Sequence, residues 1–269
     1  MPGTTTLKFI SSLKQKKNRK ENNLFILEGE KLIDELFLSS FDIHSVYATD
    51  QWLKEKNVST ENGLQSLSSI VPVHKVTDRE LARISSLSTP NKVLAIVNKP
   101  DYKLVTAGLH GKITLVLDNV QDPGNLGTLI RTCDWFGINN IVCSENSAEV
   151  TNPKVIQASM GSVLRVRTHY LHLPDFLSLP DIKGIPVYGA FTGGPDIYSS
   201  SLADSGIIVL GNESRGISDE IKPFISNIIS IPGKSDRSSS PESLNIAVAG
   251  SIIISEFRRR FSDKWQAGK

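Results

Sequence analysis

Cysteine is scarce in this sequence, which contains only Cys133 and Cys143 and no CxxC pair among its 269 residues. A disulfide framework or a structural zinc site needs a larger or more closely spaced set of cysteines, so we expect neither. The histidines add no metal-ligand spacing beyond the weak pair His169 and His172. We therefore predict a protein of a reducing compartment, the cytoplasm, that binds no metal.

Long hydrophobic runs are also missing. No apolar stretch approaches the roughly 20 residues that cross a bilayer, and residues 1–6 lack the basic-then-apolar order of a secretory signal. With 39% hydrophobic and 22% charged residues, the composition is that of an ordinary soluble globular protein. We expect no membrane partner, and a chain of this length often folds as two domains.

An excess of charge of one sign is missing as well, since the formal net charge is only +2. The positive charge is nevertheless concentrated in two clusters. The first lies before Glu21 and consists of Lys8, Lys14, Lys16, Lys17, Arg19 and Lys20, and the second consists of Arg258, Arg259 and Arg260. Such clusters bind phosphates through counterion release, but a solvated helix face has the same composition. Charge alone leaves both interpretations open.

The first hundred residues alternate between short helix and strand patterns. Apolar spacing predicts strands at 24–27, 43–48, 71–76 and 93–97, and helices at 8–20, 29–38 and from Thr77 onward. Thr77 and Glu80 have the spacing of a capping box. Residues 99–111 contain Pro100, Gly108 and Gly111, and we interpret them as a linker. We thus predict a small α/β domain over residues 1–98.

After residue 111, apolar strands alternate with helices. Strands are predicted at 113–117, 141–143, 186–190, 206–210 and 228–231, with helices at 125–136, 152–163 and 243–261. Continuous apolar strands that alternate with helices indicate a parallel sheet covered on both faces. Ligands bind beyond the carboxyl ends of the strands in such sheets. Residues 112–269 are therefore predicted to form an α/β domain whose chemistry lies in the loops after its strands.

Three of these loops are rich in glycine, asparagine and small polar residues. The first, residues 117–127, leads into a helix that carries Arg131, and Asn125 is the expected cap of that helix. The second, residues 208–217, continues an apolar strand into a Gly-Asn-Glu triplet. The third, residues 231–245, contains a Ser-rich stretch that we expect to be flexible, and it ends at the start of the last helix.

Each loop also has an ordinary structural explanation. A turn and a cap account for the first loop, a solvated acid accounts for Glu213, and simple capping accounts for Ser243 and Asn245. The last helix is apolar nearly all round, which indicates burial in a subunit interface or within one large domain. The first loop has neither GxGxxG nor the Gly-Lys-Ser/Thr of a P-loop, which disfavours a nicotinamide-dependent enzyme.

Taken together and in this order, the loops resemble the three signature motifs of the SpoU/TrmH-type (SPOUT) RNA ribose methyltransferases. The matching segments are 122–131, 210–216 and 231–245, within a resemblance that spans residues 112–261. Residues 14–29 are similar to the substrate-binding domain of that family, which has a ribosomal-protein-like fold. The stretch between Pro232 and Ser243 is longer and more Ser-rich than in the common members of the family.

The resemblance implies a fold and a reaction. The catalytic domain is expected to be a parallel α/β sheet with a C-terminal trefoil knot, in a homodimer whose active sites lie near the interface. The expected reaction is S-adenosylmethionine-dependent methylation of a ribose 2′-hydroxyl of RNA, and the additional N-terminal domain favours ribosomal RNA. A transfer RNA methyltransferase and a non-catalytic RNA-binding or ribosome assembly factor stay open as alternatives, and binding of S-adenosylmethionine would separate the latter from an enzyme.

The resemblance also assigns roles to residues. The expected catalytic residues are Asn125, Arg131, Glu213, Ser243 and Asn245. The expected donor-binding residues are Ala190, Thr192, Leu210, Gly211, Asn212, Gly216, Ile231 and Leu244. The expected RNA-binding residues are Lys14, Lys16, Lys17 and Arg19.

The role of Arg131 follows from its chemistry as well. A guanidinium keeps its proton in proteins, so we expect Arg131 to hold a phosphate and stabilise the forming alkoxide rather than act as a general base. Glu213 would orient Arg131, while Ser243 and Asn245 would position the ribose or Arg131. Cys133 is interpreted as a core residue, and Trp52, Trp135 and Trp265 as packing or surface residues.

Overall fold

The computed structural model describes residues 2–58, 64–65, 70–233 and 242–261. Most of the Ser-rich stretch, residues 234–241, and Trp265 lie outside the described residues. The chain divides into two compact units: the first combines Met1–Asp101 with Glu149–Leu164, and the second combines Tyr102–Ala148 with Arg165–Lys269. The domain boundaries expected from sequence, 1–98, 99–111 and 112–269, stay a prediction.

The strands are numbered in chain order. They are β1 (Leu24–Glu28), β2 (Ile43–Ala48), β3 (Leu64–Gln65), β4 (Ile70–Val71), β5 (Val73–Lys75), β6 (Val93–Asn98), β7 (Ile113–Leu117), β8 (Asn140–Ser144), β9 (Arg167–Leu171), β10 (Val187–Ala190), β11 (Gly206–Leu210) and β12 (Asn227–Ile229).

The α-helices are numbered in the same way. They are α1 (Thr4–Ser12), α2 (Lys16–Asn22), α3 (Glu30–Phe37), α4 (Asp50–Glu55), α5 (Asp78–Ile84), α6 (Pro123–Trp135), α7 (Pro153–Ser159), α8 (Leu173–Leu177) and α9 (Ile246–Arg260). None of the helices in the described part of the chain is long and apolar enough to cross a membrane.

The first unit contains a four-stranded sheet in the order β1-β6-β2-β5. β6 pairs antiparallel with β1 and β2, and β2 pairs parallel with β5. Pro72 has no backbone N–H and separates β4 from β5, so the predicted strand 71–76 is interrupted there. The capping box at the start of α5 is confirmed, because Thr77 and Glu80 exchange both of its hydrogen bonds.

The predicted basic helix at 8–20 is wrong in its extent, because the chain breaks between α1 and α2. The side chains of Asn18 and Arg19 donate to the carbonyl oxygens of residues 12 to 14 at distances from 2.8 to 3.1 Å. These donors bind carbonyls at and just beyond the C-terminal end of α1, where the helical hydrogen bonds stop. The break is therefore stabilised by side chains that lie further along the chain.

The second unit contains a six-stranded sheet in the order β12-β10-β11-β7-β8-β9, and all of its pairings are parallel. This confirms the predicted parallel α/β sheet. β7 and β11 are buried along their whole length and are neighbours near the middle of the sheet. The sequence pattern misses β9, which is mostly polar and pairs only at the sheet edge.

The helices of the second unit pack closely on this sheet. The hydroxyls of Thr132 in α6 and Ser251 in α9 lie 2.9 Å apart. A Cβ atom at Gly250 would come within 2.6 Å of the Leu129 side chain and 2.7 Å of the Leu210 side chain. Glycine at this position therefore permits α9 to approach both α6 and β11.

Two predicted helices end or begin elsewhere. The helix predicted at 152–163 is α7, which ends at Ser159 because Met160 adopts a left-handed conformation with φ of 49°. The last helix begins at Ile246 rather than at Ser243, and Asn245 caps it. The trefoil knot implied by the resemblance stays a prediction.

Candidate active site

The candidate site lies at the carboxyl ends of β7 and β11, which are adjacent in the register of the sheet. The loops that follow these strands are joined by two hydrogen bonds. The backbone N–H of Ser218 donates to the buried carboxylate of Asp118 at 2.7 Å, and the side-chain amide of Asn212 donates to the carbonyl oxygen of Asn119 at 2.8 Å. The first and second loops therefore form one connected structure.

The N-cap of α6 is Asp122, not Asn125 as expected from sequence. The Asp122 carboxylate accepts from the backbone N–H of Asn125 at 2.8 Å, and Pro123 occupies the first position of the helix. Proline is favoured at this position because its fixed φ suits the helix and it has no N–H to satisfy. Since Asp122 caps the helix, the side chain of Asn125 is available for other contacts.

Asn125 connects all three predicted loops. Its side-chain nitrogen donates to the Glu213 carboxylate at 3.0 Å, and its side-chain oxygen accepts from the Asn245 amide at 2.9 Å. The Asn245 oxygen in turn accepts from the backbone N–H groups of Ala247 and Val248 at 2.9 and 3.3 Å. We call Asn125, Glu213 and Asn245 the Asn125 cluster, and it brings together three residues that lie far apart in sequence.

The second loop is held tightly by its own backbone. Asn212 and Gly216 exchange two backbone hydrogen bonds of 2.9 Å, and Gly216 has a positive φ of 70°. A Cβ atom at Gly211 would lie 2.2 Å from the backbone of Gly216 and of Ile217. Only glycine fits at Gly211 without displacing this backbone, so the residue fixes the path of the loop and the positions of its main-chain groups.

The ends of β10 and β12 lie at the same edge of the sheet, because these strands run parallel to β11. Thr192 follows β10 and is exposed, while Ile231 follows β12 and is half-buried. The backbone N–H of Phe191 donates to the carbonyl of Ile229 at 3.0 Å, so the segments that carry Thr192 and Ile231 remain paired beyond the strands. Leu244, at the end of the third loop, is 50% exposed.

Arg131 is exposed on α6, eight residues after Pro123, the first residue of the helix. It makes no hydrogen bond or ion pair with any residue that the structure describes. The expectation that Glu213 orients Arg131 is therefore wrong for this structure, in which Glu213 instead binds Asn125. Ser243 is exposed beside Asn245 and precedes the helix.

The expected RNA-binding residues of the first unit divide into two groups. Lys16 and Lys17 are exposed on α2, and Lys14 donates to the carbonyl oxygen of Arg83 at 3.2 Å. Arg19 is only 3% exposed and lies 2.5 Å from the Glu149 carboxylate. The guanidinium of Arg19 is thus used inside the protein, which corrects its assignment as a phosphate ligand.

The basic cluster at the end of α9 is also mostly structural. Arg258 donates to the carbonyl oxygen of Phe136 at 2.9 Å, and Arg260 donates to several backbone carbonyls. Hydrogen bonds from Arg259 and Arg260 lower the pKa of the buried Glu256 to about 2, although burial of the carboxylate opposes the shift. Only Arg259, whose side chain is 68% exposed, presents its charge to solvent.

The remaining cysteine and tryptophan candidates occupy core or surface positions. Cys133 is completely buried, which confirms it as a core residue, and burial raises the pKa of its thiol far above the usual value. Trp52 is buried, whereas Trp135 is 80% exposed. The residues that the structure describes contain no group of three or more side chains able to hold a metal ion.

Sequence reasoning missed Asp118, Asn119 and Asp122. Asn119 has a positive φ of 60°, which aims its carbonyl at Asn212, and Asp118 binds the end of the second loop. The residue types themselves indicated a turn and a helix cap at these positions, since asparagine and aspartate tolerate a left-handed backbone and favour turns and caps. Which of the several polar residues in this loop takes each role depends on contacts with residues about 90 to 100 positions away in the sequence.

Two family models match separate parts of the chain. Residues 112–255 match the model of the SpoU rRNA Methylase family. Residues 4–95 match the model of the MRM3-like substrate binding domain. The first match alone covers more than half of the chain.

Individual relatives extend over nearly the whole chain. It is 28% identical over 249 residues to the 23S rRNA (guanosine(2553)-2′-O)-methyltransferase RlmP of Bacillus subtilis, covering 91% of this chain and 93% of that protein. A solved structure of a TrmH-family protein from Porphyromonas gingivalis is 37% identical, with a TM-score of 0.83 and coverage of 97% and 99%. An AdoMet-bound rRNA methyltransferase from Sinorhizobium meliloti is 26% identical, with a TM-score of 0.81 and coverage of 97% of both chains.

Proposed function

Because the chain belongs to the SpoU rRNA methylase family, we propose that it transfers a methyl group from S-adenosylmethionine to a ribose 2′-hydroxyl of ribosomal RNA. The observation that carries the proposal is the Asn125 cluster, in which one side chain joins the three loops that hold the family's motifs. The Bacillus subtilis relative is named as a 23S rRNA methyltransferase, which favours ribosomal over transfer RNA.

The backbone of the second loop suits an S-adenosylmethionine site. Gly211 lets the loop pack against the backbone of Gly216 and Ile217, which fixes its main-chain donors and acceptors, and the carboxyl ends of β10 and β12 lie at the same end of the sheet. The residues that would hold the donor are Ala190, Thr192, Leu210, Gly211, Asn212, Gly216, Ile231 and Leu244. AdoMet bound to the Sinorhizobium meliloti relative supports this choice of donor.

The chain's own residues act mainly by positioning. When bound, S-adenosylmethionine supplies an electrophilic methyl group for the ribose oxygen. Correct placement of two reactants can lower the barrier by about 7–11 kcal/mol, whereas a general base adds a factor of only about 10² to 10⁴. A rigid set of loops is therefore sufficient for most of the rate enhancement.

Arg131 is the polar group best placed to act on the RNA. It is exposed, it has no partner among the described residues, and it keeps its proton. It holds a phosphate of the RNA and stabilises the negative charge that develops on the 2′-oxygen. Asn125, Glu213 and Asn245 fix the loops around it, and the Ser243 hydroxyl positions the ribose.

The remaining assignments concern the assembly. Residues 1–98 bind the RNA through Lys14, Lys16 and Lys17, and residues 112–269 form the catalytic domain with its trefoil knot. A homodimer forms through the outer surface of α6 and α9, where Trp135 and Val248 are 80% and 49% exposed. The protein acts in the cytoplasm, where ribosomal RNA is accessible to it.

The test uses the purified full chain with labelled S-adenosylmethionine and ribosomal RNA. We expect methyl incorporation at a ribose, detected as a site of resistance to alkaline cleavage. Arg131→Ala should lower the rate at least about a hundredfold while donor binding is retained, since the loss of one transition-state donor costs about 10² to 10³. The control is Arg165→Ala, which removes an exposed arginine paired with Asp134 in the same unit.

Three outcomes would contradict parts of the proposal. Wild-type protein that neither binds S-adenosylmethionine nor incorporates methyl would favour a non-catalytic RNA-binding protein. Incorporation into transfer RNA but not ribosomal RNA would overturn the substrate assignment. An Arg131→Ala variant that is as active as the Arg165→Ala control would overturn the role of Arg131.

A further inference from the structure

Arg260, in the last turn of α9, binds the loop of residues 191–200 that follows β10. We call this segment the 191–200 loop. The Arg260 guanidinium donates to the carbonyl oxygen of Ser200 at 2.5 Å and to those of Ile197 and Tyr198 at 2.7 Å each. Its Nε also donates to the Glu256 carboxylate at 2.6 Å. One side chain therefore holds three carbonyls of a loop about 60 residues earlier in the sequence.

The loop does not satisfy these carbonyls itself. Its internal bonds run to a different oxygen, since the backbone N–H groups of Ser199 and Ser200 donate to the Asp196 carbonyl at 3.2 and 2.9 Å. The Ile197 side chain is fully buried and fixes the loop to the core. Arg260 is thus a charged donor to carbonyls that no other described residue binds, and such bonds are stronger than those between neutral groups.

The opposite side of the 191–200 loop is joined to the chain beyond β12. The Ile197 N–H donates to the Ser230 carbonyl, and the Ser230 N–H donates to the Pro195 carbonyl, both at 2.9 Å. The Ser230 hydroxyl also donates to the Gly194 carbonyl at 2.9 Å. Ile231 follows directly, so the loop and the segment that carries Ile231 form one paired wall.

The Glu256 carboxylate orients the Arg260 side chain toward the carbonyls of the 191–200 loop. It is only 5% exposed, and besides the bond from Arg260 it accepts two hydrogen bonds from Arg259, at 2.8 and 2.9 Å. A buried carboxylate at this position restricts the rotation of the Arg260 side chain and aims its free N–H groups at the loop. Lysine could not reproduce this arrangement, because it lacks the planar fork of five donors.

We propose that Arg260 is a positioning residue for the S-adenosylmethionine site, which it serves by fixing the 191–200 loop between α9 and the chain beyond β12. This inference rests on the proposed function, which places Thr192 and Ile231 in the donor-binding wall. Arg260 acts through the three loop carbonyls that it binds.

The experiment compares Arg260→Ala, Arg260→Lys and the control Arg259→Ala. Arg259 binds the same carboxylate but no loop carbonyl, so the control alters charge and the Glu256 contact alone. For each full-length variant, calorimetry gives the Kd for S-adenosylmethionine, filter binding gives the Kd for RNA, and hydrogen exchange reports on residues 192–200. Steady-state kinetics separates the KM for the donor from kcat.

We expect Arg260→Ala to raise the donor Kd and KM about tenfold, as the loss of a charge-assisted hydrogen bond would. The RNA Kd and the kcat at saturating donor should change by less than about twofold, because Arg131 and the lysines proposed to bind RNA lie outside the 191–200 loop. Arg260→Lys should be intermediate, and Arg259→Ala should match wild type. Exchange at residues 192–200 should accelerate only in the Arg260 variants.

The outcomes separate this inference from the proposed function. If wild type does not bind S-adenosylmethionine, the proposed function fails, and the inference fails with it. If wild type binds the donor and folded Arg260 variants bind it equally well, only the inference fails. If Arg260→Ala does not fold, Arg260→Lys and Arg260→Gln decide the question by the same measurements.

Discussion

Replacement of Gly211 with alanine tests the structure of the second loop. The new Cβ would lie 2.2 Å from the Gly216 carbonyl carbon and from the Ile217 nitrogen, far inside van der Waals contact. These atoms belong to backbone that is held by the paired Asn212 and Gly216 hydrogen bonds, so the clash cannot be relieved by rotating a side chain. The loop must open by more than an ångström or so to accept the methyl group.

The cost follows from the bonds that opening would break. Overpacking costs about 1–3 kcal/mol, and each of the two Asn212–Gly216 hydrogen bonds contributes about 0.5–1.5 kcal/mol. We therefore expect Gly211→Ala to lower the free energy of unfolding by about 2–6 kcal/mol and to weaken donor binding strongly.

The assay is urea denaturation followed by calorimetric titration with S-adenosylmethionine. The control is Gly108→Ala, because a Cβ at Gly108 would meet only the Val105 side chain at 4.0 Å. That variant should stay within about 0.5 kcal/mol of wild type. Equal stability and equal donor affinity of Gly211→Ala and the control would refute the tight packing described for this loop.

Two further predictions concern charge. Replacing Lys16 and Lys17 with alanine should reduce the salt dependence of RNA binding by about one unit of slope per lysine removed. Alanine at Lys56 and Lys75, which bind aspartates at 2.6 and 2.5 Å, should leave the slope close to wild type, whereas Lys17 lies 3.8 Å from its nearest carboxylate, that of Glu21. Equal slopes for both pairs would contradict the proposed RNA surface. The pKa of Glu256 is lowered to about 2, so the ionised carboxylate stabilises the fold above its usual pKa of 4.5, and this stabilisation is lost as the pH falls toward 2. The free energy of unfolding, measured from pH 5 to pH 2, should therefore fall less steeply in Glu256→Gln than in wild type. The two slopes should differ by at most about 1.4 kcal/mol per pH unit.

The central strands could be predicted because local sequence determines them. β7 and β11 coincide with their predicted bounds, since every residue in each strand is apolar or small and is buried. β9 could not be predicted, because an edge strand of polar residues depends on its pairing with β8. The break between α1 and α2 likewise depends on Asn18 and Arg19, which reach back to carbonyls five or six residues earlier.

The site could be predicted as a set of loops but not as a set of contacts. The parallel sheet brings the three loops to one edge, which is why Asn125, Glu213 and Asn245 meet. The capping residue and the partner of Glu213 were both assigned incorrectly, because Asp122 and Asn125 are equally suited to cap a helix. The sequence predicted Arg260 to belong either to a phosphate-binding cluster or to a solvated helix face, since nothing local indicates the distant carbonyls that it binds.

The ion pair of Arg19 with Glu149 has a consequence for how the chain is made. The first unit includes Glu149–Leu164, which a ribosome synthesises only after the strands β7 and β8 of the other unit. Until Glu149 is synthesised, the guanidinium of Arg19 lacks the carboxylate that it pairs with in the folded protein, and burial of an unpaired ion is strongly unfavourable. The amino-terminal unit therefore completes its folding late, after much of the following sheet has emerged, although it is the first to be translated.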